Sequence, residues 1–503
     1  MEVIQNLVLG FGVALQPSSL LMCFIGVLLG TLVGVLPGLG PVAAMSLLLP
    51  VTYNISPVNA IIMLSGIYYG SMYGGSTTSI LLNIPGEAAS VVTCLDGYQM
   101  ARQGRAGSAL GISAIGSFIG GTISLVGLML MAPPLAEMAL KFGPPEMFSL
   151  MILGLILLTF LAGDSMPKAL CMAAFGIFLG SVGSDIISGA ERFTFDNPIL
   201  VDGVGLAPVA MGLFGISEVL LNLETLLNQD VFKTALKGLL PNRKDFRDSF
   251  WPIMRASVIG FFLGILPGGG GVLASFTSYA LEKKLSPHPE RFGHGAIEGV
   301  AGPETANNAG AGGAFIPLLT LGLPSNAVMA ILLGTMLIHG MQPGPMLIKD
   351  HPGVFWGAVT SMYIGNAMLL VLNLPLIGLW VKILKIPYRF LFPLILFFCL
   401  VGAYSLNNNT SEMVIMLIFG IVGYFLRKFS YPLAPAILAL VLGPLLEKSL
   451  RQSLLMSSGS GMIFLDRPIS LAMILLSVIL LLSSAIPAMK RKREELAKAS
   501  DDD

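Results

Sequence analysis

The sequence predicts an all-α polytopic membrane protein of two inverted-topology repeats, each with a re-entrant helical hairpin and about five spans, plus one C-terminal span. Three observations carry this. The 503 residues are 54% hydrophobic and only 11% charged, whereas a soluble chain carries about 25% charged residues. A proline–glycine break occurs twice, as Gly34-Val35-Leu36-Pro37-Gly38-Leu39-Gly40-Pro41 and as Gly264-Ile265-Leu266-Pro267-Gly268-Gly269-Gly270-Gly271. Each copy follows an apolar run of helical length and precedes a shorter one. Finally, no Lys or Arg occurs before Arg102, and the chain closes on Lys490-Arg491-Lys492-Arg493. The positive-inside rule then puts the N-terminus outside (periplasmic) and the C-terminus inside (cytoplasmic).

Composition also narrows the function classes. The formal net charge is zero and gives no hint of nucleic acid. Cys23, Cys94, Cys171 and Cys399 form no CxxC pair, and His288, His294, His339 and His351 form no metal spacing. The first residues lack the basic region of a signal peptide. No nucleophile–base pair stands at catalytic spacing, so the reading is not an enzyme and needs no cofactor.

Along the chain, residues 18–36 run to the first break and 42–51 return, a hairpin with 37–41 at its tip. Residues 58–84 cross inward, ample for the roughly 20 residues a span requires. This span carries Ser76, Thr77, Thr78, Asn83, Pro85, Gly86 and Glu87. Arg102 and Arg105 mark the first inside loop. Spans follow at 107–131, 146–162, 169–185 and 208–223, with Asp164 and Lys168 inside and the loop 186–207 outside. Residues 1–227 make the first repeat, and 228–250 a basic cytoplasmic linker with Lys233, Lys237, Arg243, Lys244 and Arg247.

The second repeat, 251–446, opens from the inside. Residues 252–266 reach the second break, 271–281 return, and Lys283, Lys284 and Arg291 keep the next loop inside. Residues 296–338 form the second polar span, with Glu304, Asn307, Asn308, Ser325 and Asn326. Spans at about 354–380, 389–404, 412–426 and 431–446 complete the repeat, and 469–487 is the extra span of a C-terminal unit, 447–503. The loop 447–467 falls outside despite Lys448, Arg451 and Arg467. The odd number of spans per half inverts the second repeat. Pro85 aligns with Pro324, and Phe175-Gly176-Ile177 with Phe419-Gly420-Ile421.

A helix broken in hydrocarbon strands N–H and C=O groups unless protein, a water-filled cavity or a bound ion meets them. Paired breaks in two halves point to a transporter site at the midplane. Helix N-termini there hold carboxylates, and unwound carbonyls hold a hard cation such as sodium. The substrate-binding candidates are therefore Pro37, Gly38, Gly40, Ser76, Thr77, Thr78, Asn83, Gly86, Gly268, Gly269, Gly270, Asn307, Asn308, Ser325 and Asn326. For any single hydroxyl or amide, the plain alternative is helix–helix glue or a cap. Glu304 and Glu87 are the ion-coupling candidates. An acid in a membrane segment is a functional candidate by default, although both also fit a first helical turn. Glu304 is favoured because Asn307 and Asn308 stand one turn later. Asp96 lies near Arg102 and reads as structural. The coupling ion is Na+ or H+, with Na+ placed at the hairpin and broken-helix carbonyls; no metal ligand set is certain.

At these motifs the chain resembles the large membrane subunit of the tripartite tricarboxylate transporters. The matching stretches are 34–41, 73–91, 96–104, 264–271 and 303–326, and the likeness runs over nearly the whole chain. One departure is Ser325-Asn326, where the family more often has Gly-Ser. The resemblance implies a secondary transporter of citrate-like carboxylates in a bacterial inner membrane. Its implied partners are a small membrane subunit, a periplasmic solute-binding protein, the carboxylate substrate and the lipid bilayer. Two alternatives stay open: the large subunit of a related binding-protein-dependent dicarboxylate carrier, and a cation/proton antiporter.

Overall fold

The computed structural model describes residues 2–36, 40–161, 165–185, 187–224, 239–268, 270–383 and 388–484. Pro37, Gly38, Gly269, Asp164, Lys233, Lys237 and the basic tail lie outside the described residues.

The chain opens with α1 (Glu2–Ala14), a helix the span reading did not anticipate. Then come α2 (Pro17–Val35), the short α3 (Pro41–Leu48) and the long α4 (Pro57–Leu82). Proline at the first helical positions starts all three, where its missing N–H costs nothing. Next are α5 (Ala106–Ala139), α6 (Pro144–Leu161), α7 (Met166–Gly180) and α8 (Leu206–Glu224). In α8 the middle turn, Met211–Ile216, is a π-helix.

In the second half, α9 (Arg243–Ile265) runs to the second break. It starts within the stretch read as linker, because Asn242 and Asp245 cap each other's backbone N–H groups. α10 (Gly270–Leu285), α11 (Glu298–Gly313), α12 (Phe315–Leu321) and α13 (Ala327–Ile338) follow. α14 (Pro352–Asn373), α15 (Tyr388–Asn407), α16 (Thr410–Lys428), α17 (Ala434–Met456) and α18 (Pro468–Ser484) complete the fold. The exception to an all-helical chain is a two-residue hairpin in the loop after α7, β1 (Gly183–Ser184) against β2 (Glu191–Arg192). Among the described residues, five helices are both long and apolar enough to cross a membrane: α2, α5, α8, α14 and α16. The protein is therefore an all-α membrane protein.

Two helices form the centre. In α4 every residue from Ala60 to Leu81 is buried, and in α11 every residue from Gly299 to Gly313. Lipid tails supply no hydrophobic drive between helices, so close packing through small residues holds them. Gly26, Gly30 and Gly34 of α2 lie one turn apart against the backbone of α4; a Cβ on Gly30 would sit 2.4 Å from the Ile67 carbonyl oxygen. The same device joins α9 to α11, where a Cβ on Gly264 would sit 2.2 Å from the Gly310 carbonyl oxygen. α5 lies against α11 through Gly120 on Thr305. α14 reaches α4 through Tyr73, whose hydroxyl donates to Asn366 Oδ1 at 2.7 Å.

Around this centre, α7 packs on α17 through Gly176, and α8 on α16 through Gly212 and Gly420. Phe175 and Phe419 have ring centroids 6.4 Å apart. α6 and α18 share a hydrogen bond between Ser149 and Ser470, 2.7 Å long.

Polar contacts gather at two ends. At one end Arg105 pairs with Asp245 at 2.7 Å, Lys168 donates to the Phe429 carbonyl, and Lys428 pairs with Glu224. At the other end Arg451 pairs with Asp185 and Glu447, and Arg467 with Glu146. The stretch 447–467 is not all loop as the sequence predicts: α17 runs on to Met456 and carries Arg451, while Arg467 directly precedes α18. Each arginine stands beside a carboxylate.

Candidate functional site

The site is built on two helix breaks with one geometry. α4 ends at Asn83 in the left-handed region (φ 58°), and α12 ends at Gly322 (φ 70°). These are the residue types that tolerate this cap conformation. Pro85 and Pro324 follow two residues later, and then a capping residue in extended conformation: Glu87 before the turn Ala88–Ser90, and Asn326 before α13. The Ser90 hydroxyl accepts from the Glu87 N–H and donates to its carbonyl. Asn326 Oδ1 accepts from the Met329 N–H at 2.9 Å.

The ends of α2 and α9 lie against these breaks. Gly86 is wedged so tightly that an added Cβ would meet the Gly75 Cα at 2.3 Å and the Gly34 carbonyl oxygen at 2.7 Å. The Gly268 N–H donates to the Ser325 carbonyl at 2.8 Å. A Cβ on Gly271 would lie 2.2 Å from Asn307 Oδ1 and 3.5 Å from Ala89. Gly268 and Gly271 therefore touch the break at Pro324, the break at Pro85 and α11.

Two buried carboxylates stand at this junction. Asn307 Nδ2 donates to Glu87 Oε1 at 2.5 Å. The Tyr68 hydroxyl lies beside Glu87 and Asn326. Glu304 receives the hydroxyls of Ser76 and Thr93, with Ser113 as a further donor. Among the described residues neither acid has a cationic partner. Asn308 Nδ2 donates to Ser117 Oγ at 2.8 Å and to the Glu304 carbonyl at 3.1 Å. The Oδ1 atoms of Asn307 and Asn308 are buried without a hydrogen-bond partner. Buried acceptors of this kind are costly unless a ligand meets them.

The sequence-derived candidates divide. Ser76, Glu304, Asn307, Asn308, Glu87, Gly86, Gly268 and Ser325 take part in these contacts. Gly270 (φ 46°) opens α10 next to them, and Asn326 is a helix cap. Thr77 is buried beside Ser76. Thr78 donates to the Gly75 carbonyl of its own helix. Asn83 is exposed, and Gly40 caps α3. Thr93, Ser113, Ser117, Asn366 and Asn373 were missed. The spacing of Ser113 and Ser117, and amides inside an apolar helix, were available signals. Asp96 is structural, but its partners are not Arg102. Its carboxylate accepts the N–H groups of Gly293, Gly295 and Ala296 at 2.8–2.9 Å and the Tyr279 hydroxyl at 3.0 Å.

At the end of the molecule near β1 lies a cavity of about 670 Å3, edged by Asp185, Arg192, Glu412, Glu447 and Arg451. The backbone N–H of Ser188 and the Arg451 guanidinium hold the Asp185 carboxyl well below the usual carboxylate range. Arg192 bridges Asp185 and Glu447 at 3.5 and 2.9 Å.

Comparison with known proteins fits this arrangement. The sequence model of the Tripartite tricarboxylate transporter TctA family matches residues 20–438. An uncharacterised 52.8 kDa protein in the TAR-I ttuC' 3' region of Agrobacterium vitis is 50% identical over 501 residues, covering 100% of both chains. An uncharacterised protein in the TAR-II ttuC' 3' region of the same organism is 50% identical over 242 residues, 48% of this chain and 100% of the relative. No solved structure matches. The matched region runs from α2 into α17 and holds both breaks and both buried acids, and the chain belongs to the tripartite tricarboxylate transporter TctA family.

Proposed function

We propose that this chain is the large membrane subunit of a secondary transporter, importing citrate-like di- or tricarboxylates with cations by alternating access. The observation that carries the reading is the junction itself: Gly268 on Ser325, Gly271 on Asn307, and Asn307 on Glu87. Two broken helices and a hairpin tip meet there at buried polar side chains. The shared geometry of the breaks supports two inverted repeats, with the hairpins acting as gates on opposite faces.

Among the described residues no Lys or Arg stands at the junction, so a polyanion crosses only with compensating cations. The helix ends at Ala88 and Ala327 offer N–H groups to the carboxylates. Glu304 and Glu87 are placed to carry the coupling Na+ or H+. A periplasmic solute-binding protein delivers the substrate, and a small membrane subunit accompanies this one in a bacterial inner membrane. The N-terminus is then periplasmic and the C-terminus cytoplasmic.

The test is uptake of labelled citrate into proteoliposomes holding the large and small subunits, with and without binding protein and an inward sodium or proton gradient. Saturable uptake that needs the binding protein and one gradient is expected. Uptake of no organic acid under either gradient would overturn the proposal. Sodium–proton exchange in its place would favour the antiporter.

A further inference from the structure

Beside Glu304 is a small cavity with room for about one water-sized sphere, whose polar side is made by Tyr73, Ser76, Thr77, Ser113 and Asn373. Ser76 and Ser113 belong both to this wall and to the donor set of Glu304. The proton inventory here is lopsided. The Ser76 hydroxyl hydrogen goes to Glu304, and that of Tyr73 to Asn366 Oδ1. Asn373 Nδ2 donates to the Leu369 carbonyl at 3.0 Å, which fixes the orientation of the amide. Its Oδ1 is left buried with no partner, on a residue only 4% exposed that lines the cavity. Leu110 and Ala114 complete the wall, so its polar side is a set of oxygen atoms backed by one carboxylate.

From this geometry we infer that the cavity is a sodium site, liganded by oxygens of Ser76, Ser113 and Asn373 with Glu304 supplying the balancing charge. A single carboxylate matches a monovalent ion, whereas calcium takes six to eight oxygens and usually several carboxylates. A proton would satisfy only one of the acceptors. The site lies among helix side chains, not at the hairpin carbonyls where the sequence placed sodium. Its role in coupling rests on the transport reading; the binding does not.

The experiment is thermal unfolding of the purified full chain in detergent, titrated with sodium chloride against choline or potassium chloride at constant ionic strength. A saturable rise of about 2–4 °C in sodium is expected. Asn373→Leu and Ser113→Ala should each weaken the sodium response at least tenfold, read as the shift from that variant's own melting temperature in choline. Ser113→Ala carries the test if Asn373→Leu does not fold. Identical melting in sodium and choline would mean that the cavity holds water only and would overturn the inference. An equal response to potassium would do the same. Sodium stabilisation without carboxylate uptake under any gradient would sink the transport reading and leave the site standing.

Discussion

The contact between Asn307 and Glu87 joins α11 to the first break, and its energy is open to measurement. Nδ2 donates to Oε1 at 2.5 Å with both residues buried. Asn307→Ala removes that donor and leaves a buried carboxyl oxygen unmet. An unsatisfied buried polar group costs about 1–3 kcal/mol, and more if charged. Loss of Asn307 Oδ1, which is buried without a partner, offsets part of this cost. The expected destabilisation is therefore about 2 kcal/mol. Unfolding of the purified protein by sodium dodecyl sulfate in mixed micelles gives the free energies for Asn307→Ala, Glu87→Ala and the double variant. The two substitutions should be non-additive by at least about 1 kcal/mol, because independent sites add within about 0.5 kcal/mol. Additivity within that limit would show that the two side chains do not interact, and the account of the junction would fail.

Other predictions follow from the same contacts. Ser76→Ala and Asn308→Ala should cut uptake at least tenfold at normal membrane abundance; normal transport by either would remove that residue from the site. Gly264→Val places side-chain atoms within the backbone of Gly310 and should destabilise by about 1–3 kcal/mol, seen as a lower melting temperature, whereas Gly12→Val, with nothing near its Cβ, should not. Asp185 has a depressed pKa, so the stability it adds is present above the ordinary carboxylate pKa of about 3.9 and is lost as pH falls through the folded-state value. The melting difference between wild type and Asp185→Asn should then hold from pH 8 to about pH 4 and shrink below it; a difference already gone at pH 6 would contradict this.

The parts of this protein legible in the sequence are those set by local chemistry and by the solvent. Apolar runs of span length predict most of the helices, since each backbone group in lipid must be satisfied within its own segment. Proline and glycine locate the breaks, because they act on their own backbone. α1 escaped because its 13 residues fall short of a span.

Tertiary structure alone decided which polar groups meet. Thr93 and Ser113 are ordinary hydroxyls in sequence, and they matter because folding brings them to Glu304 from 211 positions away in one case. Asp96 reads as structural from its place near Arg102, but its partners are the backbone N–H groups of 293–296 in the other half. Asn373 gained meaning only from the cavity it lines. The sequence by itself determined the class of molecule and where its helices break, as properties of each segment in its solvent. Which segments face one another depends on the packing of small residues between helices, as at Gly264 and Gly310, and no local pattern encodes that partner.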